Sequence, residues 1–215
     1  MHKEHLLTVP KGMYNIDKFQ KERCIFVNPI ATFYMSSGNK IVVELLPEAA
    51  PNTVNSFVHC AKLGCMDGHA IQRIVPGKWV DLTYAAFHKE ECKYLIPLES
   101  MLHPEIEPLD SHAGCICMGG YGVNCMAGCE PFFPLSDQPT HKGIYPVFGY
   151  VREGMEELYR LEKVATRPVK LEGINMEVNE PLHPEIIERV ELELHGVEYP
   201  EPIKVPVQRL PETWK

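Results

Sequence analysis

The chain consists mainly of short β-prone runs divided by turns, and this pattern restricts the folds that it can adopt. Residues 31–35 and 40–46 flank the turn sequence Ser-Ser-Gly-Asn, which predicts a β-hairpin. Residues 69–75 form a further strand candidate that ends at a Pro-Gly pair. Residues 190–194 alternate apolar and acidic side chains, as a half-buried strand does. Many short strands with few helices predict an all-β barrel or sandwich.

Two segments follow the helical period instead. In the first, Val54, Phe57, Val58 and Ala61 share one face, at the spacing i, i+3, i+4, i+7. A proline before this segment and a glycine after it are typical start and stop signals. Residues 153–164 carry a second, shorter helical pattern. We therefore expect two helices among the strands.

The composition is that of a folded protein with an acidic surface. Apolar residues make up 45% of the 215, and the net charge of −8 argues against a nucleic-acid partner. No apolar run reaches the length of a membrane span, and the N-terminus lacks the apolar core of a signal peptide. We expect a cytoplasmic protein with no membrane partner. In that compartment the eight cysteines are expected to be reduced thiols rather than a disulfide framework.

The length fits one domain with extensions. Residues 1–27 are polar and weakly patterned, and we interpret them as an N-terminal extension. Residues 28–205 are expected to form the domain, and residues 206–215 a C-terminal tail.

Four stretches in a fixed order carry a family resemblance. Residues 41–57 contain Ala-Pro-Asn-Thr-Val-Asn-Ser-Phe, and residues 71–77 read Ile-Gln-Arg-Ile-Val-Pro-Gly. A glycine-rich segment leads to the pair Phe132 and Phe133, and residues 147–155 read Val-Phe-Gly-Tyr-Val-Arg-Glu-Gly-Met. The ordered set resembles the cyclophilin family of peptidyl-prolyl cis-trans isomerases, and the C-terminal part is similar to bacterial members.

The resemblance implies a mainly β fold, a closed eight-stranded antiparallel barrel capped by two α-helices. It also implies isomerisation of Xaa-Pro bonds in polypeptides, in assistance of protein folding. The prolyl amide has a rotation barrier of roughly 18–20 kcal/mol. No bond breaks, so the reaction needs no cofactor. A guanidinium that donates a hydrogen bond to the twisted amide nitrogen stabilises the transition state selectively. Arg73 matches the catalytic arginine of the family.

The remaining site residues also follow from the resemblance. The residues expected to bind substrate are Trp79, Asp81, Gly119, Gly120, Phe133, His141 and Tyr145. Asp81 replaces a glutamine of the family, and as a carboxylate it only accepts hydrogen bonds. It either orients Arg73 through a charge-assisted pair or holds Arg73 away from substrate. Gly119 and Gly120 lie where the family pairs its backbone with the bound peptide.

Two alternatives remain open at this point. The first is a cyclophilin-like module that binds proline-containing segments with little or no isomerase activity. Because the family tryptophan that helps to bind cyclosporin aligns near Thr140, weak or absent cyclosporin binding is expected in either case.

The second alternative is a metal site. Its best candidates lie within fifteen residues of one another, and they are Cys115, Cys117, Cys125 and Cys129. His88 with Cys92, and His141, are looser candidates. Soft thiolates hold zinc or iron–sulfur clusters, but these spacings are not those of a Cys-x-x-Cys knuckle. Small buried apolar side chains in a reducing compartment explain the same cysteines, so no cofactor is expected.

Overall fold

The structure is a computed structural model that describes residues 27–121, 124–170, 178–206 and 209–214. Nearly all of the predicted N-terminal extension lies outside these residues. The strands are β1 (Ile30–Met35), β2 (Lys40–Leu45), β3 (His69–Ala70), β4 (Arg73–Val75), β5 (Trp79–Asp81), β6 (Leu95–Pro97), β7 (Cys115–Gly120), β8 (Cys125–Pro134), β9 (Val147–Glu153), β10 (Thr166–Val169), β11 (Val178–Pro181) and β12 (Ile186–Glu193). The α-helices are α1 (Pro51–Lys62), α2 (Glu99–Leu102) and α3 (Met155–Leu161).

Ten strands form one curled antiparallel sheet. Nine of them follow the order β3-β12-β1-β2-β9-β7-β8-β5-β4, while β6 pairs with β8 off this path. The predicted hairpin is confirmed, since β1 pairs with β2 and Phe33 lies opposite Ile41. β10 and β11 form a separate two-stranded ribbon. The mainly β prediction is therefore confirmed.

The prediction of a closed eight-stranded barrel is wrong. The strands at the two ends of the sheet, β3 and β4, are consecutive in the chain but do not pair with each other within the described residues. Ile71 and Gln72 separate them and belong to no strand, which splits the single strand predicted over residues 69–75. Gln72 Oε1 instead accepts hydrogen bonds from the Thr83 hydroxyl and the Tyr84 backbone N–H. The sheet is curled but open at this point.

Aromatic rings fill the space between the sheet and α1. Phe33, Phe57, Phe133 and Phe148 are all at most 1% exposed, with neighbouring ring centroids 5.4–6.0 Å apart. The helical face predicted from the sequence faces this core, and all four of its residues are buried. Burial of each such side chain contributes roughly 1.5–3 kcal/mol, so these rings dominate the stability of the core.

The second predicted helix is confirmed as α3, with Leu158 and Leu161 fully buried. Gly154 precedes it at φ +94°, and a Cβ there would meet the backbone of Lys40. This close approach explains why the chain turns from β9 into α3 at a glycine. None of the helices in the described ranges is long and apolar enough to be a candidate for crossing a bilayer.

Cys65 and Cys92 are joined by a disulfide, with Cα atoms 6.9 Å apart. The expectation that all eight cysteines are thiols is therefore wrong for this pair. The two residues are 27 positions apart in the chain, and only the folding of the segment after β5 against the end of α1 brings them together. No short-range spacing in the sequence indicates this contact.

Candidate active site

Arg73, Asp81 and Phe132 lie side by side across three neighbouring strands. Arg73 in β4 pairs with Asp81 in β5, and Asp81 pairs in turn with Phe132 in β8. Residues directly opposite each other in an antiparallel ladder place their side chains on the same face of the sheet. The strand register therefore sets a cation, a carboxylate and an aromatic ring in one row.

The guanidinium of Arg73 contacts a carboxylate and two aromatic rings. Its Nη1 donates to Asp81 Oδ2 at 3.0 Å, and its Cζ lies 5.3 Å from the ring centroid of Trp79 and 5.6 Å from that of Tyr84. Its Nε is buried and has no hydrogen-bond partner among the described residues. The guanidinium therefore has an N–H group that the bond to Asp81 does not satisfy.

Asp81 is a fixed acceptor on the strand next to Arg73. Burial raises the pKa of this carboxyl, and the charge and hydrogen bond of Arg73 oppose that rise. The Tyr84 hydroxyl donates a further hydrogen bond to Asp81 Oδ2 at 3.1 Å. Two donors from different parts of the chain thus fix the orientation of the carboxylate that bonds to Arg73.

Four rings form an aromatic slot beside this pair, namely Trp79, Phe132, His141 and Tyr145. The His141 centroid is 5.7 Å from those of Trp79 and Phe132 and 4.7 Å from that of Tyr145. Phe132 meets Tyr145 edge to face at 5.7 Å, a favourable arrangement for aromatic rings. Burial lowers the pKa of His141, so its imidazole is neutral at pH 7. The aromatic slot is therefore uncharged and suits a small apolar ring.

These groups open onto one cavity of about 560 Å³. The structure places seven of the eight predicted site residues on its walls: Arg73, Trp79, Asp81, Gly119, Gly120, His141 and Tyr145. Gly119 and Gly120 end β7 at a shift in its register with β8. A volume of this size is in the range of small-ligand pockets, and it is large enough for a short peptide segment.

Phe133, which the sequence predicts to bind substrate, does not line this cavity, whereas Phe132 does. Phe133 is fully buried and packs edge to face on Phe33 in the core, with centroids 5.8 Å apart. Successive side chains of a strand point to opposite faces of the sheet, so only one ring of the pair can reach the cavity. The register of β8 with β5 decides which one, and it turns Phe132 outward.

Sequence reasoning missed several residues of the cavity wall. They are Thr83, Tyr84, Tyr121, Glu130, Phe132, Pro211, Glu212 and Thr213. One of them had a usable signal, because Glu130 lies two positions before Phe132 and so shares its face of β8. The residues near the C-terminal end had no such signal in the sequence, because they reach the cavity only through long-range contacts.

The described part of the predicted tail contributes to one wall of the cavity. Trp214 is buried, and its Nε1 donates to Glu130 Oε1 at 2.7 Å and to the Tyr84 carbonyl at 3.1 Å. Its ring meets Tyr121 edge to face at 5.4 Å. Burial raises the pKa of Glu130 to about 8, against hydrogen bonds from Tyr121 and Trp214 that lower it. A buried carboxyl with a raised pKa therefore anchors the C-terminal segment.

The cysteines proposed as metal ligands from the sequence do not converge. Within the described ranges, no three of Cys115, Cys117, Cys125 and Cys129 bring their sulfurs within 4.8 Å of one another. Cys115 and Cys117 pack with Phe132 and Val147 in a small apolar cluster. Burial raises the pKa of the Cys115 thiol to about 11, which keeps it protonated at neutral pH.

The arrangement of strands and helices is that of known cyclophilins. A crystal structure of a cyclophilin type peptidyl-prolyl cis-trans isomerase from Cryptosporidium parvum superposes with a TM-score of 0.60 at 17% identity. The match covers 77% of this chain and 97% of that one. A second crystal structure of the C. parvum protein, in the presence of the dipeptide Ala-Pro, gives a TM-score of 0.60 at 16% identity over 76% and 98% of the two chains. The fold defines a cyclophilin-like β protein.

Sequence comparisons identify the family of this chain. The family model described as "Cyclophilin type peptidyl-prolyl cis-trans isomerase/CLD" matches residues 30–191. Peptidyl-prolyl cis-trans isomerase B of Bacillus subtilis is 32% identical over 133 residues, which are 58% of this chain and 84% of that protein. Peptidyl-prolyl cis-trans isomerase CYP18-2 of Arabidopsis thaliana is 30% identical over 64% and 83% of the two chains. The chain belongs to the cyclophilin type peptidyl-prolyl cis-trans isomerase family.

Proposed function

We propose that this protein isomerises Xaa-Pro bonds of polypeptides at the Arg73 cavity and so assists protein folding. The observation that carries the proposal is the position of Arg73. Its guanidinium lies beside the uncharged aromatic slot, is bonded to Asp81 through Nη1, and has a buried Nε without a partner among the described residues. In support, a cyclophilin of the same fold was crystallised in the presence of Ala-Pro.

The chemistry follows from the amide. In the planar state, resonance commits the nitrogen lone pair to the carbonyl group, and the nitrogen is a poor acceptor. When the bond twists, the lone pair localises on nitrogen and accepts a hydrogen bond from Arg73. That bond exists only in the twisted state, so it lowers the barrier without tightening ground-state binding. If it contributes about 3 kcal/mol, it accelerates rotation on the order of a hundredfold.

The other cavity residues bind and orient the substrate in this proposal. The proline ring enters the aromatic slot, where Trp79, Phe132 and Tyr145 surround it with apolar surface. Gly119 and Gly120 offer backbone without side chains, so an extended peptide can lie close to β7. With the ring and the backbone both held, rotation is confined to the Xaa-Pro bond. The test is acceleration of cis-trans exchange in a short Ala-Pro peptide over the uncatalysed rate.

Asp81 acts as a positioning residue for Arg73 in this proposal. It bonds only to Nη1 of the guanidinium and is itself fixed by Tyr84, an arrangement that orients Arg73 without satisfying all its donors. We expect Asp81→Ala to lower kcat/KM about tenfold, because one lost charge-assisted hydrogen bond contributes about 1.5 kcal/mol. Asp81→Asn keeps an acceptor oxygen of the same size and should stay within about twofold of wild type.

The comparison of these two variants in a peptide isomerisation assay separates the two roles that the sequence leaves open for Asp81. Rescue by asparagine supports positioning. A rate well above wild type in Asp81→Asn would show that the carboxylate restrains Arg73 instead.

We further expect cyclosporin to bind weakly or not at all. Thr140 stands where the family tryptophan is expected, and it is exposed and precedes His141 in the chain. The large apolar contact of an indole ring is therefore missing on this side. Titration calorimetry with cyclosporin A at micromolar protein should give no measurable heat of binding. Tight, stoichiometric binding would contradict this expectation.

A further inference from the structure

Three buried cysteines from two distant segments converge away from the Arg73 cavity. Cys60 lies in the last turn of α1, Cys65 follows just after this helix, and Cys92 ends a short 3-10 helix at Glu90–Cys92. Their sulfurs all lie within 4.8 Å of one another, and all three residues are at most 1% exposed. None of them lines the Arg73 cavity.

A fourth cysteine adjoins this group. Cys129, on β8, is fully buried, and its thiol hydrogen-bonds to Cys60. That hydrogen bond is the main cause of a lowered pKa at Cys60, while the pKa of Cys129 is raised. The Tyr94 hydroxyl lies 3.3 Å from the Cys60 sulfur and 2.8 Å from the Ser56 hydroxyl. The Cys129 thiol and the Tyr94 hydroxyl therefore both contact the Cys60 sulfur.

We propose that Cys60, Cys65, Cys92 and Cys129 form a zinc site in the reduced protein, hereafter the four-cysteine site. Four thiolates are a common ligand set for structural zinc. With Zn–S bonds of about 2.3 Å, ligand sulfurs of a tetrahedral site lie roughly 3.8 Å apart. Reduction of the Cys65–Cys92 bond frees those two sulfurs to move to that spacing, the Cys60 sulfur already lies within 4.8 Å of both, and Cys129 contacts Cys60. The ligands come from α1, the segment that follows it, the loop before β6, and β8, so the ion would tie α1 to the sheet.

Nearby cations suit such a site. Four thiolates and one zinc ion carry a net charge of −2, which needs compensation in a buried place. The Lys204 ammonium lies 4.2 Å from the centroid of the Tyr94 ring, and its charge lowers the pKa of Cys60. The Lys89 ammonium donates at 2.8 Å to the carbonyl of Gly64, the residue before Cys65. Two lysines therefore contact residues that adjoin the four-cysteine site.

The disulfide and the metal site are alternative states of the same sulfurs. A phosphine reductant converts the Cys65–Cys92 bond into two thiols. The phosphine is oxidised to its oxide, with the oxygen and both protons supplied by water. Zinc then displaces the thiol protons into solvent as it binds. The oxidised chain has too few thiolates left to form the site.

The test uses the full chain and two metal ions. Protein reduced with tris(2-carboxyethyl)phosphine and freed of metal is titrated with cobalt(II), then with zinc. We expect one cobalt ion per chain, with the absorption bands of tetrahedral thiolate coordination, and displacement of cobalt by one equivalent of zinc. Cys60→Ser and Cys129→Ser should lose these bands. Cys115→Ser is the matched control, since Cys115 is as buried but stands outside the group, and it should keep them.

A second arm needs no substitution and so does not depend on how a variant folds. The wild-type protein with the disulfide formed is identified by mass spectrometry, because it is two hydrogen atoms lighter than the reduced protein. This oxidised protein should bind no cobalt until the phosphine is added. The proposal is overturned if the reduced wild type takes up no metal, or if cobalt binds equally to the oxidised protein. Cobalt bands unchanged in a folded Cys60→Ser would overturn it as well.

Discussion

Replacement of Arg73 by alanine is expected to lower kcat/KM for Xaa-Pro isomerisation by about a hundredfold. In the proposed mechanism, this side chain alone supplies the hydrogen bond that forms only when the amide twists. The aromatic slot and the backbone at Gly119 and Gly120 stay in place, so affinity for a proline peptide should change little. The measurements are the isomerisation rate of a short Ala-Pro peptide and the affinity of the same peptide by calorimetry.

Two control variants test whether a loss of activity in Arg73→Ala has a cause other than the loss of the catalytic group. Arg152→Ala removes an exposed strand arginine that, like Arg73, is paired to a carboxylate but lies outside the cavity, and it should keep full activity. Arg73→Ala also leaves the buried Asp81 without its cation, which can destabilise the fold. The double variant Arg73→Ala with Asp81→Asn removes both charges and should be stable yet equally slow. Wild-type rates in Arg73→Ala would show that Arg73 is not the catalytic group.

Glu130 is expected to contribute a fall in the free energy of unfolding as the pH rises from about 4.5 to about 8. His69, whose pKa burial lowers to about 4, contributes a rise below about pH 6.5, so the contribution of Glu130 is measured as a difference between variant and wild type. In the folded protein, burial raises the pKa of Glu130 from 4.5 to about 8. Across this interval the folded chain keeps the proton that the unfolded chain has lost, so raising the pH favours unfolding. A shift of this size corresponds to a change on the order of a few kcal/mol. The stabilisation is fully present below pH 4.5 and is lost above about pH 8.

Glu130→Gln should remove this contribution, because the amide stays neutral and still accepts from Trp214. Urea unfolding at several pH values between 4.5 and 8.5 measures the effect. Glu48→Gln, at an exposed glutamate, is the matched control and should keep the wild-type slope. If the slope is unchanged in Glu130→Gln, the buried carboxyl is not the group that holds the proton.

Local patterns in the sequence predicted those features that depend on local contacts. The hairpin of β1 and β2 follows from a four-residue turn between two β-prone runs, and α1 follows from the spacing of its apolar face. The position of Arg73 follows from a strand motif, and its neighbours Trp79 and Asp81 are fixed once that strand turns back into β5. Each of these inferences rests on a window of about eighteen residues or fewer, the range in which periodicity and turn chemistry decide structure.

Features that depend on strand register or on distant contacts could not be predicted in the same way. A shift of one residue in β8 exchanges the roles of Phe132 and Phe133, and only the pairing with β5 fixes that register. The gap between β3 and β4 depends on where Gln72 finds partners. The sulfur contacts of Cys65 with Cys92 and the bond of Trp214 to Glu130 join segments that are 27 and 84 residues apart.

The most direct test of the proposed function is exchange spectroscopy by NMR on an Ala-Pro peptide with a small amount of wild-type protein. Uncatalysed cis-trans exchange takes tens to hundreds of seconds, too slow for cross-peaks between the two forms. We predict that cross-peaks appear with wild type and are strongly reduced with Arg73→Ala, while both proteins still shift the peptide resonances. Resonances that shift without cross-peaks in the presence of wild type would contradict the account, and would show a module that binds proline segments without turnover.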